Sequence, residues 1–296
     1  MATTIITDLK ETYRRGNLPM RLIYWNVGLF VLLNVLTIGA RLFNGEAEGL
    51  IEWLEVPASP ARLLMQPWSI ITYMYVHLDV WHILFNMLWL YWFGTLFLQF
   101  FSTKHLRGLY LLGGILGALF YIGAFNLFPY FRPLAGYSFL LGASASVLAV
   151  ACAIAYREPD YRVNLLLIGS VRLKYLALAA VVLDLLMVTG NNGGGHIAHL
   201  GGALAGLWFS RSLEQGRDIT SGLNRLIDLL TPRTPARKPK LHFENRGTAR
   251  QADYQFNARR KAQNDEVDRI LEKLKKSGYE SLTEEEKKSL FDASKR

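Results

Sequence analysis

YSFLLGASASVLAVACAIAY, residues 137–156, runs for twenty residues without a charge. A helix rises about 1.5 Å per residue and must cover about 30 Å of hydrocarbon, so a stretch of this length and composition reads as a membrane span. Its small residues, Gly142, Ala143, Ala145, Ser146, Ala149, Ala151 and Ala153, leave it thin enough for other helices to approach its backbone. Cys152 lies inside the run as a small hydrophobe. As the single cysteine of the chain it can form no intrachain disulfide, and nothing around it implies zinc or redox chemistry.

Five further segments approach the same length: 21–40, 80–101, 106–127, 171–189 and 196–212. The fifth span is interrupted by Arg172 and Lys174, and the sixth by glycines and a histidine. With 51% hydrophobic residues in 296, the chain is too apolar for an ordinary soluble enzyme. The expected fold is an all-α integral membrane bundle of six transmembrane helices with a short soluble helical tail. Residues 1–20 form an N-terminal segment without the apolar core of a secretory signal, 21–212 the membrane domain, 213–262 a basic linker and 263–296 a helical hairpin. In the hairpin, Val267, Ile270, Leu271 and Leu274 fall at helical spacing, Gly278 can end the helix, and Thr283 with Glu286 forms a capping box for the next one.

Charge sets the direction. Lys10, Arg14, Arg15 and Arg21 precede the first span, Lys104 and Arg107 follow the second, and Arg157, Arg162, Arg172 and Lys174 lie between the fourth and fifth. Two of the alternate connections are acidic (41–79, with Glu46, Glu48, Glu52, Glu55 and Asp79) or uncharged (190–195). By the positive-inside rule both termini are cytoplasmic. The long 41–79 connection, with Leu50, Trp53, Leu54, Leu63, Leu64, Met65 and Trp68, reads as a segment lying in the headgroup region. The net charge of +9 comes without a nucleic-acid motif, so anionic lipid is its expected partner and nucleic acid is not.

In this topology the second, fourth and sixth spans all begin at the external side, and each carries polar residues there: His82 and Asn86, Ser144, and His196 and His199. A lone serine in a membrane helix commonly bonds its own backbone, and Gly-Ala-Ser-Ala-Ser alone is an adequate packing surface. Several polar groups converging at one depth instead mark a site, because hydrocarbon tolerates them only around an interior cavity. A neutral imidazole can take the proton of a serine hydroxyl, and donors nearby can stabilise the oxyanion that follows. Gly202 and Gly206 give the sixth span a face for close approach, and Gly113 with Gly117 does so in the third.

The run His77-Leu78-Asp79-Val80-Trp81-His82-Ile83-Leu84-Phe85-Asn86 resembles the HxxxxHxxxN signature of the rhomboid family. Gly142-Ala143-Ser144 is similar to its GxS motif, and Ala198-His199-Leu200-Gly201-Gly202-Ala203-Leu204-Ala205-Gly206 to its AHxxGxxxG motif. The resemblance covers residues 20–212 in the family's order. It implies an intramembrane serine endopeptidase with Ser144 as nucleophile and His199 as base, without a third acid. It implies an oxyanion site at His82, Asn86 and the Ser144 amide, close packing at Gly142, Gly202 and Gly206, no metal and no cofactor. Its substrates would be transmembrane proteins cut near the external face, with the fifth helix and the loop before the sixth as gates. A bacterial-type member of this kind sits in the inner (plasma) membrane.

Several positions depart from or lie outside the pattern. Ala145 stands where many members have glycine, Trp68-Ser69 where some have Trp-Arg, and Leu148 where some stack an aromatic residue on the histidine, which leaves the positioning of His199 to helix packing. Asp184 in the fifth span is assigned to packing or gating, since the family's chemistry works without an acid, and His196 is set aside in favour of His199. The main rival reading is a catalytically inactive relative that binds transmembrane clients, disfavoured by the presence of Ser144, His199, His82 and Asn86. A transporter with a histidine proton relay is disfavoured because no two halves of the chain repeat each other. Substrate identity, oligomeric state and the tail's partner are not readable from the residues.

Overall fold

Asn17 caps the first long helix, accepting a hydrogen bond from the Met20 amide, with Pro19 in the first turn. In the computed structural model, which describes residues 7, 10–14, 16–46, 48–165, 169–230, 266–276, 278 and 281–294, six main helices follow one another: α1 Leu18–Leu42, α2 Val80–Phe100, α3 Thr103–Leu127, α4 Ser144–Arg157, α5 Leu173–Leu186 and α6 Gly193–Glu214. A seventh, α7, spans Ser221–Leu230. Asp79 and Ser102 cap α2 and α3 through their side-chain oxygens. Among the described residues, α1, α2 and α3 are long and apolar enough to cross a membrane, whereas α4 is apolar but only 14 residues long.

The start of α4 departs from expectation. Residues 137–143 are not helical: Phe139–Leu140 pairs antiparallel with Val56–Pro57, and Gly142 takes φ +109°, a conformation open to glycine and strained for any side chain. The fifth span is likewise shorter than 171–189, because Gly169–Arg172 forms a hairpin strand with Arg162–Leu165 and the helix begins only at Leu173. Arg172 and Lys174 both bind Asp160 there, so they belong to the connection rather than to the hydrocarbon face.

Contacts sort the connections to two ends of the bundle. At one end, Val56–Pro57 pairs with Phe139–Leu140, Asn126 donates to the Ala58 carbonyl, and the Tyr130 hydroxyl donates to the Thr189 carbonyl. At the other, Tyr156 meets Glu214, Phe100 meets Tyr161, and Arg107 near the start of α3 binds Asn224 and Asp228 of α7. The helix α7 lies inside the segment expected to be linker.

Helix α6 packs on α3 and α4 as the centre of the bundle. The fit depends on missing side chains: a Cβ on Gly202 would lie 2.1 Å from the Ala145 carbonyl oxygen, and one on Gly206 2.2 Å from that of Ala149. In lipid the hydrophobic effect does not drive helices together, so such close backbone contact supplies the van der Waals attraction that does. The 41–79 connection holds short helices at Glu48–Glu52, Pro60–Met65 and Ser69–Thr72, and leaves Leu50, Trp53, Leu64, Met65 and Trp68 exposed. It is tied down by Trp68, which stacks on Trp53 and donates its indole N–H to the Trp53 carbonyl, and by Arg62, which bonds Glu52 and covers the Phe139 ring.

The chain divides into two compact units, Met1–Pro232 and Arg233–Arg296. In the second, residues 266–276 are helical and a further helix, α8, spans Glu284–Ser294. Lys273 binds Glu286, while Thr283 and Glu286 exchange backbone-to-side-chain bonds as a capping box. Residues 231–265, the proline-rich and basic part of the expected linker, lie outside the described residues.

Candidate active site

Two backbone bonds stop the chain ahead of α4. The Gly142 amide donates to the Tyr73 carbonyl at 2.9 Å, and the Ala143 amide donates to His77 Nε2 at 3.4 Å. Burial, and then the neighbouring His82 ring, push the His77 pKa down to about 4, so its ring stays neutral and can accept. A Cβ at Gly142 would meet His82 Cε1 at 2.7 Å, which explains why glycine precedes the serine by two. Helix α4 therefore begins at Ser144 itself. The amide of a first helical residue has no carbonyl one turn earlier to bond, and it lies at the positive end of the helix dipole.

From α6, His199 Nε2 lies 2.6 Å from Ser144 Oγ. Its other nitrogen, Nδ1, lies 2.8 Å from Asp184 Oδ1 on α5, and His196 Nδ1 lies 2.8 Å from that same oxygen. His196, one turn before His199, thus bonds Asp184, and no hydrogen bond joins it to Ser144. The sequence reading left Asp184 to packing or gating; the structure puts its carboxylate on both histidines. A signal for this was present, since Asp184 is the one acidic residue in any of the six apolar segments. Leu148, the departure that left His199 to helix packing alone, lines the cavity, and the hydrogen bond to Asp184 does the holding instead.

Ser144, His199 and Asp184 open onto a cavity of about 910 Å³ that His82 and Asn86 also line. Asn86 spends one amide N–H on the His82 carbonyl at 2.9 Å, leaving its second without an acceptor among the described residues, and the His82 ring stands edge-on to His77 with centroids 5.0 Å apart. Every position expected to act on the substrate therefore borders one space. The run 190–195, the loop before the sixth span that the resemblance makes a gate, is half absorbed into structure: Gly193–Gly195 form the first turn of α6.

Asp184, His196 and His199 are also the donor set a metal ion would use, their ligand atoms all lying within 4.8 Å of one another. The spacing favours protons. Both ring nitrogens stand 2.8 Å from one oxygen, the length of a charge-assisted N–H···O bond, whereas ligands around a tetrahedral zinc stand about 3.3 Å apart.

The chain is similar to known proteins. A family model described as the Rhomboid domain matches residues 64–215, just over half the chain, and a second, described as a family of unknown function (DUF6576), matches residues 250–296. RHOMBOID-like protein 12, mitochondrial, of Arabidopsis thaliana is 30% identical over 164 residues, covering 50% of this chain and 47% of that protein. Presenilin-associated rhomboid-like protein A, mitochondrial, of Danio rerio is 29% identical over 156 residues, covering 52% of this chain and 38% of that protein. The chain spans about half the length, or less, of these curated relatives. Both carry a mitochondrial name, so they lend no support to the bacterial inner membrane expected from sequence. The domain match takes in all three motifs and the helices that carry them, and on it this chain belongs to the rhomboid family as a membrane-embedded member.

Proposed function

We propose that the chain is an intramembrane serine endopeptidase that hydrolyses peptide bonds in or near transmembrane segments of other membrane proteins, with Ser144 as nucleophile and His199 as general base. The observation that carries this reading is the 2.6 Å contact between Ser144 Oγ and His199 Nε2 at the wall of an open cavity. In the first step Nε2 takes the Ser144 proton as Oγ attacks the substrate carbonyl carbon, and the carbonyl electron pair moves onto oxygen. The Ser144 amide, the free Asn86 N–H and the His82 ring are the donors proposed to receive that oxyanion. Collapse of the intermediate breaks the C–N bond, the imidazolium gives its proton to the leaving amine, and an ester on Ser144 remains. Water, deprotonated by His199, then hydrolyses the ester and regenerates the enzyme. The residues named are protein groups, and no cofactor is assigned a role.

The reading also takes α1–α6 as six spans with both termini on the cytoplasmic side. It is supported by the alternation of connections between the two ends of the bundle and by the basic residues, Lys104, Arg107, Arg172 and Lys174, gathered at one of them. Helices α4 and α5, each 14 residues and about 21 Å long, are short for a bilayer, and the non-helical residues preceding α4 line the cavity, where irregular backbone is tolerated. The exposed leucines and tryptophans of the 41–79 connection suit the headgroup layer.

Purified protein in detergent or liposomes, given a model transmembrane substrate, is expected to cleave it, and a fluorophosphonate is expected to label Ser144. Ser144→Ala and His199→Ala are each expected to abolish cleavage. A wild-type chain that binds the substrate and never cuts it would favour the inactive, client-binding relative instead.

A further inference from the structure

Helix α5 is arranged inside out with respect to charge. Of its 14 residues only Leu173 and Asp184 are buried, while Leu183, Leu185 and Leu186 beside the aspartate are 57%, 62% and 72% exposed. A carboxylate turned inward while leucines face outward is costly in a membrane protein unless charged or strongly polar partners meet it. Asp184 meets two, His196 Nδ1 and His199 Nδ1, both at 2.8 Å, and the second of these rings touches Ser144 Oγ with its far nitrogen.

We infer that Asp184 is a positioning residue for the reaction, the third member of a Ser144–His199–Asp184 relay, and that this chain departs in this respect from a two-residue mechanism. The inference rests on the proposed protease reading of Ser144 and His199. An ionised carboxylate only accepts hydrogen bonds, so His199 Nδ1 must carry the ring's proton and Nε2 must present its lone pair to Ser144 Oγ. That is the tautomer in which the ring acts as a base. When Nε2 takes the serine proton, both ring nitrogens carry hydrogen, and the positive charge that results lies against the Asp184 carboxylate, which accepts from Nδ1 before and after the transfer. The carboxylate takes no proton at any step; it selects the tautomer, fixes the ring plane and stabilises the imidazolium.

His196 distinguishes this from a simple tie between helices. It binds the same oxygen at the same distance, so it contributes equally to fastening α5 onto α6, yet it has no bond to the serine. Loss of His196 removes half of the fastening and none of the relay.

The full-length protein in detergent is the material for the test. Its substrate turnover (kcat and KM), its rate of fluorophosphonate labelling at Ser144 and its melting temperature are measured for wild type, Ser144→Ala, Asp184→Asn, Asp184→Glu and His196→Gln. Asp184→Asn is expected to lower kcat and the labelling rate together by about 10²-fold or more, as replacement of an orienting aspartate does in soluble triads, with KM and melting temperature near wild type. Asp184→Glu should restore part of the loss, and His196→Gln should keep kcat. Turnover and labelling by Asp184→Asn at the wild-type rate, with Ser144→Ala dead, would overturn the relay and leave the protease reading intact. Equal losses in Asp184→Asn and His196→Gln, or a loss accompanied by a matching fall in melting temperature, would reduce Asp184 to a helix fastener and also overturn it. Cleavage by Ser144→Ala at the wild-type rate would remove the protease reading itself.

Discussion

Glu55 is 6% exposed, and its side chain has no hydrogen-bond or ion-pair partner among the described residues; Arg62 of the same connection is bound to Glu52. Burial, and then the charge of Glu52, push its pKa up to about 7 from an ordinary 4.5. Between those two values the folded chain holds a proton that the unfolded chain releases, so this residue makes stability fall as pH rises from 4.5 to 7 and level off above. Glu55→Gln is therefore expected to match wild type at pH 4 and to exceed it at pH 8 by on the order of 3 kcal/mol, read from melting curves in detergent. Parallel pH profiles for the two proteins would contradict the assignment. At this scale the sequence was uneven in what it disclosed. The meeting of Ser144 with His199 was legible, because each sits in a motif of the family resemblance and topology brought the two to one level. Glu55 read only as one more acidic residue of a loop, and Asp184 only as an odd carboxylate, because burial and a shared partner on another helix leave no mark on local spacing.

Among the helices, existence was legible and starting points were not. A window of apolar residues reports that a segment suits hydrocarbon, but residues 137–143 are as apolar in a strand as in a helix. The break at Ser144 comes from the φ of Gly142 and from partners supplied by Tyr73 and His77. The small-residue faces were plain in the sequence, and their depth of contact gives a sharp expectation. Gly202→Val must push against Ala145, next to the proposed nucleophile Ser144, whereas Gly206→Val pushes against Ala149 one turn further on. Overpacking of this kind costs about 1–3 kcal/mol, so both variants should melt earlier. Gly202→Val should in addition label more slowly with fluorophosphonate than Gly206→Val. Gly28→Val, where a Cβ would meet nothing within 4 Å, serves as the neutral control. If all three variants melt and label as wild type does, α6 does not rest on α4 as described.

At the scale of the molecule, the exterior of the bundle is apolar: Trp25, Leu42, Tyr175, Leu178, Leu186 and Trp208 are each half exposed or more. Water cannot be the medium that covers such a surface. After alkaline washing of membranes the protein is expected to stay in the pellet, and detergent to release it; appearance in the aqueous wash would contradict an integral location. That the chain is a membrane bundle was legible from composition and length alone. The helix α7 was not, because Asn224 and Asp228 look like ordinary surface polar residues until Arg107 is seen to bind them.

The short pairing of Val56–Pro57 with Phe139–Leu140 has a thermal corollary. It splices the 41–79 connection to the few residues that lead into Ser144, and it does so with a ladder of two residues on each side, far weaker than the helical scaffold beside it. Warming should therefore unfasten that connection first and shift Ser144 while the scaffold still stands. Activity would fade several degrees below the collapse of the far-ultraviolet helical signal, and on prompt cooling it would return.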